Sequence, residues 1–163
     1  MHQSYIRFWR HAFDYKGRAS RQDFWVPTLI HFALYILLSA ILSLLLGDLS
    51  RIGVIVLSVF KWILFIPQLT LMARRYHDVD KSLTFPLILF IFFLFLDIND
   101  FIDNLFYRND PIVDYTDILA YILTAIYYLL LIYSLIVCLR RGNVSANRYG
   151  EPPVAQSLSL IHI

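Results

Sequence analysis

Two long apolar runs, Ile52 to Met72 and Leu83 to Leu96, flank one short charged stretch, Met72-Ala73-Arg74-Arg75-Tyr76-His77-Asp78-Val79-Asp80-Lys81. That pattern predicts a tight turn between two membrane-crossing helices. Two further runs, about Trp25 to Leu46 and Ile118 to Leu139, each hold roughly 20 residues, enough at about 1.5 Å per residue to cross a hydrocarbon core. Leu83 to Leu96 gives a run of only 14 residues, apolar but for Thr84. That is short for a span, so its helix is expected to continue through Asp97 and Ile98.

Composition agrees with this reading. Of the 163 residues 59% are hydrophobic and 16% charged, far from the balance of a soluble domain of that length. The single cysteine, Cys138, excludes an internal disulfide and a cysteine-based metal site. It ends an apolar run and reads as an inert packing residue, with no sign of an oxidised compartment. Met1 to Tyr15 carries Arg7, Arg10 and Asp14 and lacks a continuous apolar core, so it does not read as a cleavable signal.

The expected fold class is all-α: a polytopic membrane protein of four transmembrane helices plus an N-terminal amphipathic interfacial helix. Residues 1–153 form a single membrane domain with spans at about 25–46, 52–72, 83–98 and 118–139; residues 154–163 read as a disordered tail or an artefact. In Met1 to Tyr15 a helical period places Tyr5, Ile6, Trp9, Ala12 and Phe13 on one face, with Phe8 at its border. Gln3, Arg7, Arg10, His11 and Asp14 fall opposite, which suits a helix lying among headgroups. The alternative is a helix docked on the protein's own surface. Lys16-Gly17-Arg18-Ala19 forms a loop, and Ser20 with Asp23 three residues on is a capping signal for the first span, Asp23 reaching back to the cap amide. Gly47 to Arg51 makes a minimal turn, and Pro67 is placed to kink the second span. Asn99 to Asp117 is an acidic connection with a turn at Asn109-Asp110-Pro111.

Four spans put both termini on one side. There lie Arg7, Arg10, Lys16, Arg18, Arg21, Arg74, Arg75, Lys81, Arg140, Arg141 and Arg148; opposite lie only Arg51 and Arg108. Basic residues accumulate on the cytoplasmic side, so both termini are expected in the cytoplasm.

Three ordered stretches then resemble a known family. They are Phe13 to Trp25 (FDYKGRASRQDFW), Ala73 to Asp78 (ARRYHD), and Gly142 followed by Asn147 to Pro153 (NRYGEPP). Together they resemble the small bacterial inner-membrane family catalogued as domain of unknown function 805. The family pattern usually follows the His-Asp pair with Ser-Gly-Trp; here Ser82 precedes Leu83 and Thr84. The resemblance implies a multi-pass protein of the bacterial inner (plasma) membrane with no established activity. It carries over no catalytic residue.

The topology gathers all three stretches on the cytoplasmic face. Arg18, Arg21, Arg74, Arg75, His77, Asp78, Asn147 and Arg148 are therefore candidates for one polar cluster. Either these charges only hold the spans in register and touch lipid non-specifically, or they bind an anionic headgroup, a small ligand or a protein partner, arginine supplying forked donors. His77 and Asp78 are adjacent on a helix end and do not face each other, a poor base-and-orienter pair. Asp78 or Asp80 is better placed to pair with an arginine or cap the third span.

Lys61 stands near mid-membrane, where a charge must face protein or water. It is 11 residues from Met72, and Asp97 is 14 from Leu83. Those depths differ by roughly 4–5 Å, within reach of a lysine side chain. A Lys61–Asp97 pair between the second and third spans is expected; the alternative is a lysine that snorkels outward. The acidic run from Asp97 to Asp103 fails the calcium-loop pattern. No catalytic, cofactor or metal site is assigned, and no nucleic-acid module is present. The function expected is a non-catalytic membrane protein with lipid, ligand or protein partners, including a second copy of itself. The alternative is a small transporter or channel subunit with Lys61, Gln68 and Asp97 along its path.

Overall fold

The computed structural model describes residues 2–47, 50–107 and 115–153. Its elements are all helical: α1 (His2–Arg10), α2 (Arg21–Leu46), α3 (Arg51–Asp78), α4 (Thr84–Ile102), which continues into a π-helical turn at Asp103–Tyr107, and α5 (Tyr115–Leu139). Four of these helices are long and apolar enough to cross a membrane. The Asp48-Leu49 part of the first turn, the Asn109-Asp110-Pro111 turn and the tail from residue 154 lie outside the described residues.

Two expected boundaries are corrected. The stretch from Met72 to Asp78 is not a turn but the last two turns of α3, and only Val79 to Leu83 make the connection. The helix outlasts its hydropathy because every side chain from Leu71 to Asp78 is buried against other elements. Packing and pairing there sustain helix where lipid does not. α4 likewise passes through Asp97 and runs on to Ile102. Pro67 sits inside α3 without ending it.

α2 opens where its capping signal lies. The Asp23 amide donates to Ser20 Oγ at 3.1 Å. The return half of the capping box does not form: the Asp23 carboxylate takes the Ser20 hydroxyl at 2.8 Å and the Arg7 guanidinium instead of the cap amide. Arg7 wins that carboxylate because a charge-assisted bond is stronger than one to a neutral amide.

α1 is docked on the bundle, and the expected face is rotated. Ser4, Phe8 and Ala12 are buried, while Ile6, Trp9 and Phe13 stay exposed. Phe8, placed at the border by periodicity, is the centre of the contact, its ring 4.7 Å from that of His31 on α2. Thr70 of α3 fixes the end of the segment by donating to the Ala12 carbonyl at 2.9 Å.

The buried hydrophobic cluster sits at one end of the bundle. Phe8, Ala19, Phe24, Leu71, Met72, Tyr76, Leu89, Val137 and Cys138 compose it. This is the end where α2 and α4 begin and α3 and α5 finish, here termed the basic end. The Tyr76 hydroxyl donates to Ser134 Oγ at 2.9 Å and so ties α3 to α5 beneath the cluster. Elsewhere the helices turn Leu, Ile and Phe outward, as expected where lipid tails are as apolar as the side chains.

If α1 is held by Phe8, truncating that residue must loosen it. Phe8→Ala is expected to cost about 3–5 kcal/mol, and Phe13→Ala, at a residue 83% exposed, less than about 0.5 kcal/mol. Thermal unfolding of the two variants in detergent micelles measures the difference.

Candidate functional site

The basic end is built around one carboxylate. Arg75 and Asp78 stand three residues apart on α3 and so share a face. Asp78 Oδ2 takes Arg75 Nη1. Its Oδ1 takes Arg18, with Nε at 3.0 Å and Nη2 at 2.9 Å. Arg18 comes from the loop ahead of α2, so the Asp78 carboxylate joins that loop to α3. The Arg75 and Arg18 side chains are both 0% exposed.

The remaining guanidinium donors go to backbone carbonyls. Arg75 Nε reaches the Cys138 carbonyl at 2.9 Å and Nη1 the Ala19 carbonyl at 3.3 Å, while Nη2 reaches Arg140. Cys138 lies in the last turn of α5 and Arg140 just beyond it, where carbonyls have no partner within the helix and carry its negative pole. Arg18 Nη1 reaches the carbonyls of Ser145 at 2.9 Å and Gly150 at 3.2 Å, and Nη2 that of Asn143. The Asn143 amide donates to the Asp78 carbonyl at 2.9 Å, and the Ala19 amide to that of Arg74 at 3.0 Å. Gly142 passes so close that a Cβ there would stand 1.9 Å from Asp78 Oδ2. No other residue fits at that point.

His77 and Asp78 point to different neighbours. His77 Nδ1 lies 3.1 Å from the Gly17 carbonyl, which can only accept, so that nitrogen carries the proton. Its ring stacks on Tyr149 at 3.8 Å between centroids. Asn147 Nδ2 donates to the His77 carbonyl at 2.9 Å. Arg148 pairs with Asp80 at 3.1 Å on the surface. Asp80 adopts φ 56°, a left-handed turn conformation that aspartate tolerates better than most residues.

Of the eight clustered candidates, then, the structure joins Arg18, Arg75, His77, Asp78, Asn147 and Arg148 into one network of internal bonds. Arg21 is exposed at the start of α2. Arg74 differs from both. It is 7% exposed, yet Nε and Nη2 are buried with no hydrogen-bond partner. It lies one turn beyond Thr70 on the side of α3 that faces residues 12–19. Asp14 and Asp23 attract it electrostatically, but neither bonds to it.

Within the span, Lys61 Nζ donates to Asp97 Oδ1, and Trp62 Nε1 donates to Asp97 Oδ2 at 2.8 Å. The Asp97 side chain is 4% exposed. Both carboxylate oxygens are therefore occupied, and α3 is fixed to α4. Among the described residues no group of three His, Cys, Asp or Glu side chains gathers to hold a metal.

Sequence reasoning missed His31 and Thr70, and it gave Gln68 no bonding partner and Gly142 no role at the carboxylate. Gln68 Nε2 donates to Thr28 Oγ1 at 2.9 Å. His31 is buried with both ring nitrogens unpaired. Thr70 pins the α1 segment, and Gly142 makes room for Asp78. His31 and Gln68 were findable as polar residues inside apolar runs. The carbonyl partners of Arg18 and Arg75 carry no signature in sequence.

A buried pair costs most when half of it is removed. Lys61→Met, which leaves the Asp97 carboxylate uncompensated, is expected to cost about 3–5 kcal/mol, and the Lys61→Met/Asp97→Leu double variant to regain most of it. Unfolding in mixed micelles checks both values.

The geometry finds its counterpart among known sequences. Residues 12–151 match the family described as Protein of unknown function (DUF805). The chain is also 29% identical over 92 residues to the inner membrane protein YhaI of Escherichia coli strain K12, a stretch covering 56% of this chain and 75% of that protein. The same figures hold for YhaI of Escherichia coli O157:H7. No solved structure matches. With its four candidate spans and a match that includes the first two motifs of the basic end and the third as far as Glu151, the chain is a membrane protein and belongs to the DUF805 family.

Proposed function

We propose that this protein is a non-enzymatic component of the bacterial inner membrane whose basic end faces the cytoplasm and holds an anionic phospholipid. The lipid phosphate sits at Arg74, where α3 faces the segment from residue 12 to residue 19. The location is supported by the name of the relatives, inner membrane proteins of a Gram-negative bacterium. The orientation is supported by the excess of Arg and Lys at the basic end.

One observation carries the binding reading: Arg74 is a buried guanidinium with unused donors. A buried charge without a hydrogen-bonded partner is costly, and an arginine fork matches two phosphate oxygens. Its neighbour Arg75 spends its donors on Asp78 and on carbonyls. The two adjacent arginines therefore divide the work, Arg75 holding the fold and Arg74 the ligand. A lipid is favoured over a cytosolic anion by the surroundings. Ile6, Trp9 and Phe13 are exposed on the same α1 segment, and such side chains settle at the boundary of headgroups and acyl chains.

The test is lipid retention after mild extraction, read by mass spectrometry of the purified protein. The wild type is expected to keep an anionic phospholipid against a zwitterionic background. Arg74→Ala is expected to hold it about 10- to 100-fold more weakly, the loss of one or two charge-assisted bonds. Arg141→Ala, at an exposed position, is expected to behave as wild type. Equal and unselective lipid in the wild type and a folded Arg74→Ala protein contradicts the reading.

A further inference from the structure

A second feature lies away from the basic end. A cavity of about 660 Å³ opens between the helices, with α2, α3, α4 and α5 all contributing to its wall. That volume falls within the roughly 300–1,000 Å³ of small-molecule sites. Half of the lining residues are Phe and Leu, with the polar side chains of α2, α3 and α4 at two levels. One level holds Lys61 and Asp97, with Asp100 one turn farther along α4. The other holds Gln68, Thr28 and His31. Lys61 and Gln68 are seven residues apart on α3, which separates the levels by roughly 10 Å.

The charged level is closed on itself, because Lys61 and Trp62 fill both oxygens of Asp97. The other level is open. Gln68 gives an amide hydrogen to Thr28, and Thr28 gives its hydroxyl to the Phe24 carbonyl at 2.7 Å. His31 has nothing on either ring nitrogen, although it is 7% exposed. Its ring is fixed in place by Tyr5, Phe8 and Trp9 of α1, at 5.6, 4.7 and 6.2 Å between centroids. An imidazole held rigidly in an apolar wall, with one donor and one acceptor unused, asks for a polar ligand.

From this we infer that the cavity binds a quinone-type molecule drawn from the lipid phase: an uncharged, flat, carbonyl-bearing ring on an apolar tail. The ring must be uncharged because no charged side chain stands at the level of Gln68, Thr28 and His31: Lys61 and Asp97 pair with each other a level away and Asp100 lies one turn beyond Asp97, so a charge in that neutral level would be expensive. It is flat because Phe and Tyr side chains form much of the wall, and rings stack on rings. A carbonyl accepts from the imidazole N–H, and the hydroxyl of the reduced ring donates to the other nitrogen, so His31 serves either form through its two nitrogens. The tail occupies the apolar length between the two polar levels. A phospholipid head would bring charge to a neutral level, and an acyl chain would leave His31 unpaired. This assignment does not depend on the lipid reading of Arg74.

The experiment uses the full chain in nanodiscs of zwitterionic lipid and reads tryptophan fluorescence while ubiquinone-1 is added, with empty nanodiscs as the partition baseline. Saturable quenching at one quinone per chain is expected. His31→Phe, which keeps the ring contacts to α1, is expected to weaken it at least tenfold. Arg74→Ala, which addresses the other site, is expected to leave it unchanged. Should His31→Phe fail to fold, Gln68→Leu replaces it, with a weakening of about threefold or more. Quenching that only follows partition, or saturable binding that neither His31→Phe nor Gln68→Leu alters, overturns the assignment. So does equal competition by farnesol, a polyprenyl chain without the ring.

Discussion

The fold of the basic end depends on the Asp78 carboxylate. Two arginines from different parts of the chain converge on it, and each spends its other donors on backbone carbonyls of the segments around it. Buried ion pairs are often no more stable than a well-packed apolar substitute. What this one supplies is closure. Arg18 draws the loop ahead of α2 and the segment after α5 onto the end of α3, while Arg75 takes hold of the end of α5. Gly142 is the geometric counterpart, since only a residue without a Cβ lets the chain pass the carboxylate. The three family motifs are thus one object in space, and most of their charge is consumed in holding one another.

That consumption sharpens the functional question. A basic patch in sequence suggests a surface waiting for an anion, yet most of these side chains are already satisfied. Among the described residues the buried side-chain groups left without partners are fewer and better defined: Arg74 where α3 faces residues 12–19, His31 on the cavity wall, and the Trp25 indole nitrogen. The N-terminal segment touches the first two: the turn after α1 lies near Arg74 through the bond between Thr70 and Ala12, and α1 itself clamps His31 with three aromatic rings. A short segment that contributes little to spanning the membrane therefore shapes both candidate binding places.

Hydropathy made the four spans legible because lipid tolerates only long apolar helices. It misjudged the end of α3 because it cannot see that Arg74, Arg75, His77 and Asp78 are buried against protein, not water. The Lys61–Asp97 juxtaposition was legible from depth alone. Counted from the observed ends at Asp78 and Thr84, the two residues differ by four positions, roughly 6 Å, still within a lysine's reach. α1 was legible as amphipathic but not in its rotation, since Ser4 and Ala12 bury well without being large and apolar. Which of two adjacent arginines is structural could not be read at all. It depends on carbonyls, and every residue has one.

The direct test of the central claim is a double-mutant cycle on Arg18 and Asp78, using Arg18→Met, Asp78→Asn and the double variant, with reversible unfolding in mixed micelles. The account predicts a coupling of about 1–3 kcal/mol, because the two groups bond directly to each other and gather the same segments. Effects that add to within about 0.3–0.5 kcal/mol would mean that the carboxylate does not hold the basic end together.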